Sequence, residues 1–343
     1  MLFQATKMSL KIDTSALGHP HKPKCAFNPL SRFKPLSKVV FIASAFAALL
    51  SSSVFSAEPN AVLSTKSNAE TNSKHEIRLV SAGTGVTELV LALDAGNELV
   101  AIDSTSYVPD GLSHVAKLGY HRMLSAEGII ALSPTLVVGS DVMGPETTLS
   151  VLKQANIQVV QLPATNDEPQ LMSNVDTLGQ LLNRPDNAIK LKQDLHQQLQ
   201  SLADKKQQIS DAGAQPKILF MLLQEGRGAR VGGKGTAADT IIALSGAQNI
   251  AEFDGYKSMS QEGILSLQPD IILLSKRSDK PAEQTNAQIA QELIKEMPLL
   301  AHTPAGKNGH IQTLAPQALL GGLGISAISA ADTLASTLLK QNQ

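Results

Sequence analysis

From residue 77 onward the chain alternates between short apolar runs and stretches whose apolar positions recur at helical spacing. The first run, in "IRLVSAGTGVTELVLALDAG", leads through a Gly-rich turn into a helix expected to start near Thr87 and end at Gly96. The runs "ELVAID", "TLVVGS" and "IQVVQLP" follow at intervals that leave room for crossover helices. Such alternation predicts a parallel or mixed sheet with helices on its faces. The plan then returns with "KILFMLL", the Gly-rich "QEGRGARVGGKG", the helical "TAADTIIALSG" and the strand-like "DIILLS".

Between the two passages lies a segment rich in Leu, Gln, Lys and Ala. It has no Pro or Gly from Asp186 to Ala212 and is bordered by Pro185 and Gly213. It predicts one helix of about 25 residues, ~38 Å long. The expected fold class is therefore α/β, with two α/β lobes (77–183 and 214–343) joined by one long helix (184–213). A helix bends less readily than a loop, so the lobes should rock only slightly. The cleft between them is the expected ligand site.

The two passages share a closer likeness. "GYHRMLSAEGIIALSPTLVV" (119–138) and "GYKSMSQEGILSLQPDIILL" (255–274) both open with Gly-Tyr and carry Ser-x-Glu-Gly. Each reaches a Pro seven residues after its Glu, and from Ser125 and Ser260 onward they keep a constant offset of 135 residues. Ile129, Ile130 and Leu132, like Ile264, Leu265 and Leu267, read as core. Packing explains the duplicated Glu127 and Glu262 less well. A carboxylate in the first turn suits the positive end of a helix, yet capping does not demand the same residue twice. A two-fold symmetric partner would.

The amino-terminal 57 residues stand apart. Basic "SRFKPLSK" precedes apolar "VVFIASAFAALL" and then small-residue "SSSVFSA", the order of a secretory signal rather than a membrane span. Val54 and Ser56 suit the −3 and −1 positions, so cleavage is expected near Ser56 or Ala57. The sole cysteine, Cys25, would leave with this leader, and no disulfide or thiolate metal site would remain. Residues 58–76 read as a flexible tether.

Seven of the 29 Lys+Arg and one of the 30 Asp+Glu lie in residues 1–57, so the exported part carries a net charge of −7. That argues against nucleic acid as a partner.

Chemistry is sparse. "GARVGGKGT" approaches a phosphate-binding P-loop, but Gly235 stands where a Ser or Thr should hold Mg²⁺. It reads as a loop before a helix, with Arg227, Arg230 and Lys234 either solvated or facing an anionic ligand. The histidines show no helical zinc spacing, and His121 beside Tyr120 reads as a solvated loop residue that could support a ligand. No nucleophile elbow, catalytic cysteine or paired-carboxylate motif is present. The expectation is a binding protein, not an enzyme.

The two-lobe plan and the paired Ser-x-Glu units resemble the periplasmic substrate-binding proteins of ABC importers for vitamin B12, ferric siderophores and heme, over nearly all of 77–340. Within that superfamily, "DSTSYVPDGL…KLGYHRMLSAEGIIALSP" (Asp103 to Pro134) and "GGKGTAADTIIALSGAQN" (Gly232 to Asn249) are similar to heme receptors of the HmuT/ShuT/PhuT type. The resemblance implies a monomer in the periplasm that takes heme as cargo. Tyr120 would be the axial ligand of ferric heme and Arg122 its hydrogen-bonding partner. Glu127 and Glu262 would dock on basic residues of the two subunits of the permease dimer.

The chemistry agrees, since ferric iron is hard and takes phenolate oxygen. A phenol ordinarily ionises near pH 10, so the iron and a nearby guanidinium must favour the anion. Tyr256, followed by Lys257 and set one residue closer to its Ser, is left as a porphyrin-stacking or a packing residue, with Lys257 as a propionate partner. In members that hold two stacked hemes, Tyr256 or a second-lobe His would matter more. One departure is that the family often ends in a Gly-Phe-Gly-Pro-Arg-like stretch, where this chain reads "GGLGISAI" (321–328). Arg227, Arg230 and Lys234 are the candidate substitutes. A receptor for vitamin B12 or a ferric siderophore is the alternative on the same scaffold.

Overall fold

The computed structural model describes residues 77–213, 215–224, 228–276 and 285–341. The expected secretory signal (1–57), the expected tether (58–76) and Arg227 lie outside the described residues.

Two sheets carry the molecule. The first contains β1 (Leu79–Ala82), β2 (Leu99–Ile102), β3 (Ala116–Lys117), β4 (Leu136–Ser140) and β5 (Gln158–Leu162). All pair in parallel, in the order β3-β2-β1-β4-β5. Parallel neighbours need crossovers, and α1 (Thr84–Ala92), α2 (Ala126–Ile130) and α3 (Glu146–Gln154) lie in the connections, with α4 (Glu168–Leu181) after β5. The first helix starts three residues before the expected Thr87. Gly83 takes φ 111° as its N-cap, a conformation open to glycine, so the chain turns directly off β1. Gly96 belongs to a separate 3₁₀ turn that leads into β2.

Helix α5 (Pro185–Asp211) spans 27 residues with Pro185 in its first turn, where a missing N–H costs nothing. Its buried Ala188, Leu195, Leu202 and Ile209 fall every seventh residue along one stripe, as an amphipathic helix requires. That stripe packs on α4 and on α10 (Ile325–Gln341). Lys205 adds an ion pair to Asp332 of α10 at 2.6 Å, and Arg184 ties the start of α5 to Glu98.

The second sheet runs β11-β10-β6-β7-β9, with β8 also on β6. Its strands are β6 (Lys217–Gln224), β7 (Gly228–Gly232), β8 (Gln248–Asn249), β9 (Tyr256–Ser258), β10 (Ile271–Lys276) and β11 (Ile311–Thr313). The associated helices are α6 (Ala237–Leu244), α7 (Gln261–Leu267), α8 (Asn286–Glu296) and α9 (Pro304–Asn308). Here the Gly-rich segment departs from expectation. Gly228–Gly232 is a strand, antiparallel to both β6 and β9, rather than a loop. Gly232 is held there by crowding, because a Cβ would meet the ring of Phe220 at 2.8 Å. The helix that follows is capped by Thr236, whose hydroxyl accepts from the Asp239 amide.

The cores show how the sheets are joined. One apolar cluster runs from Leu79, Val90 and Leu99 through Leu195 and Leu202 of α5 to Phe220, Ile241 and Leu334. Each sheet also has an outer cluster of its own, around Ile129 and Leu149 on one side and Ile264 and Leu300 on the other. Burying one such aliphatic side chain stabilises the fold by about 1.5–3 kcal/mol. The shared cluster therefore fixes the two sheets to one another through α5 and α10.

Candidate functional site

In the first sheet, chain order reverses between β1 and β4, and the carboxyl ends of those strands are where ligands settle in open α/β sheets. A cavity of about 350 Å³ occupies that place, within the usual range for small-molecule sites. Gly83 and Gly85 after β1, Ser140 at the end of β4, and Tyr120, His121 and Arg122 line it. Leu319 to Gly322 close it from the carboxy-terminal half. A second cavity of about 400 Å³ lies between α10 and the edge strand β11. None of the candidate ligand-binding residues read from the sequence lines it, so the chemistry points to the first.

Tyr120 stands on a tight turn, with the Met123 amide donating to its carbonyl at 2.7 Å, and the residue is 40 % exposed. The backbone beyond it is clamped. Gly144 donates to the His121 carbonyl, and Leu124 donates back to the Gly144 carbonyl. Arg122 is exposed and makes no side-chain hydrogen bond or ion pair among the described residues. Its guanidinium is therefore available to a ligand.

His121 is not the solvated residue expected. It is 6 % exposed and its Nδ1 lies 3.1 Å from Asp103 Oδ2. Asp103 is fully buried, and sequence reasoning gave it no role. Its carboxylate accepts five hydrogen bonds, from the amides of Gly83 and Thr105, the hydroxyls of Thr105 and Ser106, and His121 Nδ1. Burial alone would raise its pKa. The bonds from His121, Ser106, Thr105 and Gly83 outweigh that and hold the carboxyl well below the ordinary range. Beneath it, Ser106, Thr87 and Ser81 continue a buried chain of hydroxyls. The signal was there in "DSTS" after a strand, since Asp, Ser and Thr at such a place bond to nearby backbone.

The other half meets this site through glycines. A Cβ on Gly85 would lie 2.8 Å from the carbonyl oxygen of Gly321, and one on Gly322 2.6 Å from that of Thr165. Glu88 of α1 reaches across to the start of α10, accepting from the Ser326 amide at 3.1 Å and from the Ser326 hydroxyl. Burial pushes this carboxyl up, and the Ser326 bonds only partly offset that.

The remaining marked residues lie elsewhere. Tyr256, half-buried on β9, packs edge-on to Phe220 with ring centroids 6.4 Å apart. Burial raises its hydroxyl pKa, against the nearby Arg230 charge. Arg230 lies over that ring at 5.5 Å and donates to the Tyr256 carbonyl. Lys257 covers the Phe253 ring at 4.8 Å, and Lys234 is exposed beside a backbone bridge to Asp254. None of these four lines the cavity with Tyr120.

The two Ser-x-Glu units do correspond. Ser125 caps α2 by accepting from Gly128, and Ser260 caps α7 by accepting from Gly263. Glu127 and Glu262 are both exposed in the first turns. The Glu262 carboxyl is held below its usual range by its own backbone N–H and by Ser260.

A family model described as "Periplasmic binding protein" matches residues 79–318. The crystal structure of the periplasmic heme-binding protein HutB of Vibrio cholerae is 40% identical, covering 77% of this chain and 99% of that one, with a TM-score of 0.68. A periplasmic heme-binding protein from Pseudomonas aeruginosa is 33% identical, covering 76% and 92%, also with a TM-score of 0.68. The vitamin B12-binding protein of Yersinia pestis is 26% identical over 58% of this chain and 69% of its own length.

Proposed function

The chain belongs to the periplasmic binding protein family, whose members bind a solute without catalysis, and from that premise we propose that its solute is ferric heme. Residues 77–183 and 214–343 act as the gripping lobes, with 184–213 as the connecting helix. The protein works in the periplasm as a monomer and hands its cargo to an ABC importer, with Glu127 and Glu262 meeting the two permease subunits. Among the described residues no helix is long and apolar enough to cross a membrane. The similarity to two heme-binding proteins above 30% identity supports the choice of cargo.

One observation carries the site assignment. A partly exposed tyrosine stands on a clamped turn at the rim of the switch-point cavity, two residues from an arginine with no partner among the described residues. Phenolate is a hard anionic donor suited to Fe³⁺, and a guanidinium close by stabilises that anion. Heme also presents carboxylates, and Arg122 is a further candidate for them. Tyr256, Lys257, Arg230 and Lys234 have no part in this first contact. The test is a titration of residues 58–343 with hemin, followed by visible absorption. Wild type should saturate with the spectrum of high-spin ferric heme bound to phenolate, and Tyr120→Ala should lose about a hundredfold in affinity, roughly 2.7 kcal/mol. Saturable binding of cyanocobalamin but not hemin would favour the corrinoid reading that the Yersinia pestis relative keeps open.

A further inference from the structure

We infer that His121 is a positioning residue for Tyr120, its imidazole serving as a backing plate that Asp103 locks in place. The inference rests on the heme reading above and concerns how the iron ligand is held. Three observations carry it. The rings of Tyr120 and His121 are in contact, with centroids 4.4 Å apart and planes inclined at 55°. The imidazole behind the phenol belongs to a buried residue, whereas Tyr120 is 40 % exposed. Finally, the imidazole is not free to turn, since Nδ1 is bound to a carboxylate that is itself held by four further donors.

The proton on that nitrogen follows from the partner. An ionised carboxylate only accepts, so Nδ1 carries the hydrogen and donates it. The tether then runs from the Tyr120 ring through His121 to Asp103, and on to the Gly83 amide at the mouth of β1. The turn that carries the tyrosine is thereby tied to the strand end that forms the cavity floor. An exposed phenol on an unsupported loop would sample several rotamers, and ordering one of them costs free energy at the moment of binding. A fixed ring behind it removes part of that cost. The gain should appear mainly as slower release, because affinity differences among variants of one site lie mostly in the off-rate.

Two substitutions separate this role from a purely structural one. His121→Asn places an amide N–H near the position of Nδ1, so it can still donate to Asp103, but it removes the ring. His121→Phe keeps a ring and removes the donor. Each is loaded with hemin, and release is timed by transfer to excess apomyoglobin, alongside the absorption spectrum. His121→Asn should release hemin about tenfold faster than wild type, the lower end of the loss seen when a supporting partner of a metal ligand is removed. Its iron–phenolate band should broaden or shift. His121→Phe should fall between the two. If His121→Asn restores wild-type release and spectrum, the histidine serves only Asp103 and the inference is overturned. Should that variant fail to fold, wild-type release from His121→Phe overturns it equally, since the tether is then dispensable. Tyr120→Ala is run in parallel. If it binds as wild type does, the heme–tyrosinate reading falls and takes this inference with it. If it alone is altered, only the role of His121 is lost.

Discussion

Tyr120 and Tyr256 open the two copies of one sequence motif, yet they meet opposite surroundings. The first stands on a loop at a cavity rim, backed by a buried histidine. The second lies in a strand, packed on Phe220 and covered by Arg230. What the copies share begins five residues later in one and four in the other, at the capping serine, and continues through the exposed glutamate to the strand. The duplication has thus kept its capped helices and exposed glutamates and lost its equivalence at the tyrosines. This division suits the proposed roles, with the permease dimer meeting the shared glutamates and heme meeting Tyr120 alone.

The largest test of that contrast removes what the copies share. Glu127→Ala combined with Glu262→Ala should abolish hemin-dependent growth of an iron-starved host, while the purified protein binds hemin as before. Each single variant should reduce growth to a similar degree, and undiminished growth of the double variant would refute the docking role. The next test removes what they do not share. Tyr256→Ala should leave hemin affinity within about twofold but lower stability by about 2 kcal/mol, less than a fully buried aromatic loses. Urea unfolding and the hemin titration read these separately. A collapse of affinity would instead bring Tyr256 into the site.

The smallest test compares two carboxylates whose shifts run in opposite directions. Asp103 is depressed, so its contribution to stability is present above the unfolded value of about 3.9 and fades as pH falls below it. Asp103→Asn should therefore lose about 2 kcal/mol at pH 7, and the gap to wild type should narrow in acid below about pH 4. Glu88 is raised by burial, so any stability linked to it is present below its unfolded value and is lost as pH rises through the folded one. Glu88→Gln should match or exceed wild type in Tm at pH 7 to 8. Thermal scans across pH decide both.

Much of the fold was legible because its signals are local. Pro185, Gly213 and the apolar stripe between them mark α5 without reference to anything distant. Ser125 and Ser260 announce their helices in the same way. Strand β7 was not legible, because five residues with two glycines read as a loop until β6 and β9 are seen to flank them. At the site, Tyr120 and Arg122 came from the motif, but the burial of His121 depends on a carboxylate 18 residues upstream. Glu88 and Ser326 stand 238 residues apart, and no periodicity connects them.

The glycine pair at the base of the cleft has a consequence for which solutes fit. Where Gly85 faces Gly321, the gap is narrower than one added carbon, so the halves rest on each other main chain to main chain. The spacing of the halves at this point is thereby gauged by the peptide backbone, while the Glu88–Ser326 bonds link them close by. A methyl group at either position would act as a shim, opening the jaws as a wedge near a fulcrum moves the far end of a lever. Over evolutionary time, changing the thickness of the admitted solute would mean rebuilding that seat rather than repainting the walls.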